Sequence, residues 1–373
     1  MKLLFYIPGL VDGGAERVMA TLASQFALLE HDVTLAVDFP VKENSPPLHP
    51  LVSLIELENG HRATVKNLAI LLHKERYDMA IAAIAANSFK LALASLLARL
   101  HDKVRPHAPS PATKIVLTYH GFEEYKTGTL SRLGMISLPL LSRLSARIVA
   151  VSDSLKDELE QRWKAKRQKL VRIYNPVFVP TAPTNFQLPQ TALDLEKRQN
   201  LVLSAGRLVP GKRFDLLIRS FHRLADPKSR LVILGEGPER PKLTRLIEEL
   251  GLSEHVELPG FVADTGRHYA NAKCFVLTSQ KESFGLVLVE ALAYGLPVLS
   301  CNRGGPPELL EQGRHGSLLG NDPQEHEVAR ALHKVLEAPG DPAPRIAHAK
   351  SFDVETGIRH YNDLFNEIQL DRS

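Results

Sequence analysis

Twice along this chain, short apolar runs alternate with amphipathic stretches of helical period, and a polar, proline-rich segment divides the two series. Parallel strands need a crossover between them, usually a helix, so each series specifies a doubly wound α/β sheet. In the first series, residues 2–7 read as a strand and 8–14 as a loop. A helix follows with Val18, Leu22, Phe26 and Leu29 on one face. Further strands are expected at 32–37, 78–85, 114–118 and 146–151, with a proline-rich surface excursion over 105–113. The most apolar stretch, residues 79–100, is interrupted by Asn87, Lys90 and Arg99. It therefore reads as a buried strand and a helix with Leu91, Leu93, Leu96 and Leu97 facing inward, and not as a membrane span.

From 176 to 200 the periodicity stops, which makes 177–200 the expected linker. The alternation restarts with strands at 201–205, 230–234, 255–258, 274–278 and 297–300 and helices at 213–224 and 242–250. A chain of 373 residues accommodates two such domains, 1–176 and 201–350, with residues 351–373 left for a closing helix over about 354–370. Two βαβ domains in tandem leave a cleft at the carboxyl ends of their strands, where α/β sheets bind ligands.

Charge is unevenly spread. Residues 1–180 hold 23 Lys+Arg against 17 Asp+Glu, and residues 99–174 hold 15 against 7. A basic half suits an anionic partner or simply a solvated face. The basic region lacks interleaved aromatic residues and any recognition motif, so nucleic acid is not expected as a partner. Cys274 and Cys301 show no metal-ligand spacing, and the first residues run straight into a strand pattern without a secretory signal. Reduced thiols in a cytoplasmic protein are the expectation.

Four segments carry candidate chemistry. In Glu282-Ser283-Phe284-Gly285-Leu286, a strand passes through a polar turn into a helix, whose free N–H groups suit a diphosphate. Glu282 lies in the turn. Glu290 lies more than one turn into the helix, facing either solvent or a vicinal diol. In Gly206-Arg207-Leu208-Val209-Pro210-Gly211-Lys212, two cations bracket a tight turn after a strand, a fork and a point charge for one anion. Gly13-Gly14-Ala15-Glu16-Arg17 opens the first helix, but it is not Gly-x-Gly-x-x-Gly. Asp38 after the second strand leaves a dinucleotide reading open. His120, in Thr118-Tyr119-His120-Gly121, falls at another strand end. Each feature alone also fits a structural or solvated role.

Together they resemble the retaining GT-B glycosyltransferases of family 4. The matching segments are GRLVPGKRFDLLIRSF (206–221), LVILGEGPER (231–240), LPGFV (258–262) and ESFGLVLVEALAYGLPVLSCNRGGPPEL (282–309), with the N-terminal GGAER, VSDSLKDEL and YNPV. The resemblance spans nearly the whole chain and is strongest over 201–310. It implies two Rossmann-like domains facing across a cleft, the first binding acceptor and the second a nucleotide-sugar. It also implies that Arg207 and Lys212 hold the donor diphosphate, that Glu282 contacts the transferred sugar, and that the Phe284, Gly285 and Leu286 backbone lies beside sugar and phosphate. Glu290 would bind the ribose, Phe261 and Val262 the base, Gly14 the diphosphate, and His120 the sugar at the reaction centre. UDP is the nucleotide the family suggests. The closing helix is expected to return to the first domain. The paired prolines of Gly304-Gly305-Pro306-Pro307 depart from many relatives, which carry one.

No Asp-x-Asp occurs in the chain. Metal-free neutralisation of the leaving diphosphate by Arg207, Lys212 and a helix N-terminus is therefore expected, with no cofactor. Residues 126–147 mix Leu130, Leu133, Met135, Ile136, Leu138, Leu140 and Leu141 with Lys126, Arg132, Arg143 and Arg147. A basic, apolar helix or helix pair of that kind suits the anionic inner leaflet and a lipid-linked oligosaccharide, lipopolysaccharide or capsule-type acceptor. A sugar-nucleotide epimerase and a non-catalytic glycan-binding protein are the competing expectations.

Overall fold

Leu3, Leu4, Phe5, Tyr6 and Ile7 are all fully buried, as a strand covered by helices on both faces must be. In this computed structural model that strand, β1 (Lys2–Ile7), is an interior strand of a parallel seven-stranded sheet. Its companions are β2 (Asp32–Val37), β3 (Ser53–Glu56), β4 (Met79–Ala83), β5 (Lys114–Tyr119), β6 (Arg147–Ala150) and β7 (Leu170–Arg172), in the order β3-β2-β1-β4-β5-β6-β7. The helices of this unit are α1 (Gly14–Leu28), α2 (His61–Glu75), α3 (Ala85–Val104), α4 (Thr129–Ile136), α5 (Leu138–Leu144) and α6 (Asp153–Gln161). The structure describes residues 1–10, 13–40, 47–57, 60–104, 112–177 and 188–371. Most of the proline-rich excursion, part of the first glycine loop and the middle of the expected linker lie outside them.

The second unit begins with α7 (Ala192–Glu196) and carries a parallel six-stranded sheet in the order β10-β9-β8-β11-β12-β13. Its strands are β8 (Leu201–Ala205), β9 (Arg230–Leu234), β10 (Val256–Gly260), β11 (Cys274–Leu277), β12 (Val298–Ser300) and β13 (Ser317–Leu318). Around it lie α8 (Phe214–Leu224), α9 (Arg240–Glu249), α10 (Gly266–Asn271), α11 (Leu286–Ala293), α12 (Pro306–Leu309), α13 (Glu325–Glu337) and α14 (Ala343–Ala349). The last helix, α15 (Val354–Leu370), belongs to the first unit, so the units comprise residues 1–176 with 354–373 and residues 177–353. Phe365 of α15 packs against Phe26 of α1, with ring centroids 5.3 Å apart and planes tilted by 35°.

Three expectations are corrected. The segment 192–196 of the expected linker is helical: Leu195 is fully buried, and the Asp194 carboxylate takes the N–H groups of Gln190 and Thr191. On α3 only Leu91 of the four leucines is buried. Leu93, Leu96 and Leu97 are exposed, because the helix packs inward through Ala92, Ala94, Ser95 and Ala98, and these leucines fall on the other side of the helix. Leu29 is likewise exposed, since α1 ends at Leu28.

Asp38 is not free to meet a ribose. Lys90 of α3 lies 2.5 Å from its Oδ2, the Tyr6 hydroxyl donates to its Oδ1 at 2.7 Å, and both charged residues are buried. It is an internal counter-ion, which removes the dinucleotide reading.

Candidate donor site

In the second unit the strand order reverses between β8 and β11, and a parallel sheet offers its ligand crevice at the carboxyl ends of such a pair. The loops leaving these two strands carry the Arg207–Lys212 and Glu282–Gly285 segments. They are bound to each other: Gln280 N–H donates to Gly211 O at 2.8 Å, and the Thr278 hydroxyl lies 3.0 Å from Lys212 O. Side chains follow the same pairing. Lys212 Nζ lies 2.5 Å from Glu282 Oε2, and Ser279 Oγ donates to the same oxygen at 3.3 Å. Arg207 is exposed and forms no ion pair among the described residues.

Glycine makes the close approaches possible. A Cβ on Gly235, at φ +127°, would meet Gly206 O at 2.1 Å, so the turns after β8 and β9 touch only because Gly235 has none. Gly305 also lies close to the Glu282–Gly285 turn, where a Cβ would fall 2.6 Å from Ser283 O. Gly305 N–H donates to Glu282 O at 2.8 Å, which ties the second glycine-rich turn to the first.

Gly285, at φ +102°, is the N-cap of α11, so the first amides of that helix, beginning at Leu286, are oriented as donors for an anion. Phe284 is buried, with its ring edge-on to Phe352 at 6.2 Å. Glu290 is buried on α11 and accepts a hydrogen bond from the Tyr269 hydroxyl at 2.9 Å. Tyr269 in turn stacks on Tyr294 at 5.5 Å. Phe261 and Val262 follow β10, Phe261 exposed and Val262 half-buried.

In the first unit Gly14 opens α1 and is exposed. His120 follows β5 directly. Its Nε2 lies 3.0 Å from Thr118 Oγ1, and burial pushes its pKa down to about 4, so the ring is neutral near pH 7. Glu124 organises this corner. Its buried carboxylate accepts the N–H groups of His120 (2.8 Å), Gly121 (2.9 Å) and Ala85 (2.7 Å), joining the end of β5 to the start of α3. Burial lifts this carboxyl to about 7, against the pull of those three donors and with Glu16 adding a like charge.

Among the residues assigned to an anionic surface, Arg132, Arg143 and Lys126 are exposed, although Lys126 pairs with Glu123. Arg147 is corrected: it is held by Glu367 and by Asp371 (3.2 Å), so it anchors the C-terminal helical segment. The expected helix pair is α4 and α5. It buries Met135, Leu138 and Leu141 and exposes Leu133, Ile136 and Leu140.

Two partners of the candidate residues carry no local signal or a faint one. Tyr269 is 21 positions from Glu290, and only the fold joins them. Glu124 stands four residues after His120, and an acid that close to a strand-end histidine was the available clue.

Residues 189–351 match the glycosyl transferases group 1 model and residues 12–179 match the glycosyltransferase family 4 model. The chain is 27% identical over 359 residues, covering 90% of each chain, to the Campylobacter jejuni N-acetylgalactosamine-N,N'-diacetylbacillosaminyl-diphospho-undecaprenol 4-alpha-N-acetylgalactosaminyltransferase. It is 35% identical over 144 residues, 39% of this chain and 42% of the other, to the Rhizobium meliloti lipopolysaccharide core biosynthesis glycosyltransferase LpsE. Its fold is similar to that of Anabaena HepE, solved in complex with UDP and glucose, with a TM-score of 0.78, 21% identity, and coverage of 98% of this chain and 100% of that one. Two parallel Rossmann-like sheets with these motifs at their strand ends, together with matching models for each half, place the chain in the GT-B glycosyltransferases of family 4.

Proposed function

We propose that this glycosyltransferase moves a hexosyl or N-acetylhexosaminyl group from a UDP-sugar, with retention of configuration and without a metal ion, to a lipid-linked or lipopolysaccharide-type acceptor at an anionic membrane surface. The observation that carries the donor assignment is the Lys212–Glu282 pair at 2.5 Å, set beside the amide end of α11 at the switch point of the second sheet. The ammonium and the helix amides receive the diphosphate charge that develops as the anomeric bond breaks, while the carboxylate turns to a sugar hydroxyl. Arg207, exposed on the same loop, closes on the diphosphate as a second cation. Leu286 contributes an amide, and Glu290, oriented by Tyr269, takes the ribose diol. Phe261 offers its exposed ring to the base, with Val262 beside it.

The reaction balances without a protein nucleophile. The bond from the anomeric carbon to the phosphate oxygen breaks, the acceptor oxygen bonds to the same face, and its proton passes to the leaving phosphate oxygen. Neutral His120 is assigned to a hydroxyl of the transferred sugar, and Gly14 to backbone approach at the diphosphate. The HepE structure holds UDP and glucose, which supports the nucleotide choice, and the undecaprenyl-diphosphate and core-lipopolysaccharide relatives support the acceptor class.

For the membrane side, among the described residues no helix is long and apolar enough to cross a bilayer. The α4–α5 pair instead presents Leu133, Ile136 and Leu140 beside Arg132 and Arg143, an apolar and cationic face of the kind that lies in a headgroup layer.

The test is to incubate the protein and EDTA with a panel of UDP- and GDP-sugars and a polyprenyl-diphosphate-linked acceptor. The product's anomeric configuration is then read by NMR. The expected product keeps the donor's configuration and requires the acceptor. Interconversion of the donor without an acceptor would favour an epimerase, and nucleotide binding without turnover a glycan-binding protein.

A further inference from the structure

Away from the donor turns, three metal-competent side chains meet where the segment after α12 packs against the end of α14. Glu311, His315 and His348 place one ligand atom each within 4.8 Å of the others. Glu311 reaches both rings: its Oε2 lies 3.3 Å from His315 Nε2 and its Oε1 3.7 Å from His348 Nδ1. Those spacings approach the ~3.3 Å edge of a tetrahedron built on zinc–ligand bonds of about 2.0–2.1 Å.

The tautomer of His348 sharpens the case. His348 Nε2 lies 2.7 Å from the carbonyl oxygen of Leu309, so Nε2 carries the hydrogen. A backbone carbonyl orienting one nitrogen is the arrangement that metal-binding histidines use to aim the other. The remaining nitrogen, Nδ1, is the one 3.7 Å from Glu311 Oε1. His315 adds a buried Nδ1 with no hydrogen-bond partner among the described residues. The two imidazoles stack at 3.8 Å with only 6° between their planes.

We propose that Glu311, His315 and His348 form a three-ligand site for a divalent transition metal such as Zn²⁺, separate from the donor site. Two imidazole nitrogens and one carboxylate suit Zn²⁺ or Co²⁺, whereas Mg²⁺ and Ca²⁺ take oxygen ligands. Glu311 is 45% exposed, which leaves an entry path and a fourth position for water. To bind, the two rings tilt out of their stack. The Arg314 guanidinium, 3.2 Å from Glu311 Oε2, swings away into solvent, where it is already 76% exposed. The bound ion would clamp the segment after α12 to α14. His348 touches Phe352 edge-on at 5.2 Å, and Phe352 touches Phe284 at 6.2 Å, so the clamp reaches the donor turn through two aromatic contacts.

The experiment uses the full-length protein stripped of metal and titrated with Zn²⁺ alone by calorimetry, with Co²⁺ as a spectroscopic probe and Mg²⁺ as control. One equivalent of Zn²⁺, a tetrahedral Co²⁺ absorption band, a rise in melting temperature and no response to Mg²⁺ are expected. His348→Ala and His315→Ala should lose the band. Glu311→Gln, a change at an exposed position that leaves the fold intact, should weaken binding by roughly tenfold or more. Stoichiometric binding that survives His348→Ala overturns the proposal. So does the absence of binding in the parent protein.

Discussion

Lys212 Nζ lies 2.5 Å from Glu282 Oε2, so the cation assigned to the diphosphate and the carboxylate assigned to the sugar are each other's counter-ions. Both are partly buried, the lysine 23% and the glutamate 16% exposed, so neither charge is fully hydrated. A donor entering here exchanges one anionic partner for another: the phosphate takes the ammonium, and the released carboxylate finds a hydroxyl. The desolvation cost of the ammonium is met before substrate arrives, which is how a site is preorganised.

Removing either half of the pair therefore has opposite effects on binding. Lys212→Ala is expected to lower turnover by roughly 10²–10³, the scale of losing one preorganised charge donor, and to weaken UDP binding. Glu282→Gln frees the ammonium, so UDP binding should hold or tighten while turnover falls at least about tenfold. Steady-state kinetics with parallel UDP calorimetry check this. A Lys212→Ala enzyme that turns over normally would remove the lysine from the mechanism.

The Tyr269–Glu290 contact makes a second, narrower prediction. A hydrogen bond to a charged group is worth about 1.5–3 kcal/mol, and here it fixes a buried carboxylate. Tyr269→Phe should lower unfolding stability by about that amount and weaken UDP binding more than it slows turnover at saturation, because the ribose contact is made in both ground and transition states. Urea denaturation and calorimetry provide the two readings. Unchanged UDP affinity would detach Glu290 from the ribose.

How much of this was legible beforehand follows from the range of each interaction. The sheets were readable because strands covered on both faces are continuously apolar, as Leu3–Ile7 and Met79–Ala83 are, and that signal is local. The two candidate turns stand out in the sequence because their glycines and charges sit within a few residues of strand ends. The settings of Arg147 and Asp38 are not legible for the opposite reason. Their partners, Asp371 and Lys90, lie 224 and 52 positions away, and no periodicity reports a counter-ion at that range. On α3 the leucines do not mark the buried stripe; Ala92, Ala94 and Ala98 do.

Glu124 gives the pH prediction. Its ordinary value is 4.5 and burial lifts it to about 7, so folding favours the protonated form. A raised pKa contributes stability that is fully present below pH 4.5 and is lost as pH rises through about 7. Over that window the parent protein should lose on the order of 3 kcal/mol relative to Glu124→Gln, which cannot titrate. The amide also sets an N–H₂ against the N–H groups of Ala85, His120 and Gly121, so turnover should fall by roughly tenfold. Urea denaturation of both proteins across pH 4–8 is the check; parallel curves would mean Glu124 stays ionised throughout.

The exposed face of α4 and α5 makes the last prediction. Arg132 and Arg143 are exposed beside Leu133, Ile136 and Leu140, and each cation near an anionic surface contributes about 1 kcal/mol. Replacing both arginines by alanine should therefore weaken binding to phosphatidylglycerol vesicles by roughly 30-fold at low salt. Replacing Ile136 and Leu140 by serine should reduce it further, and at any salt concentration, because the lost contribution is apolar burial and unscreened. Neither change touches the donor turns, so turnover on a water-soluble acceptor should hold while turnover on a vesicle-borne acceptor drops. Vesicle flotation with both acceptors separates the outcomes: flotation of the parent and the double-alanine protein to the same extent would show that this face does not dock, and an equal loss on the soluble acceptor would show that the arginines serve the fold.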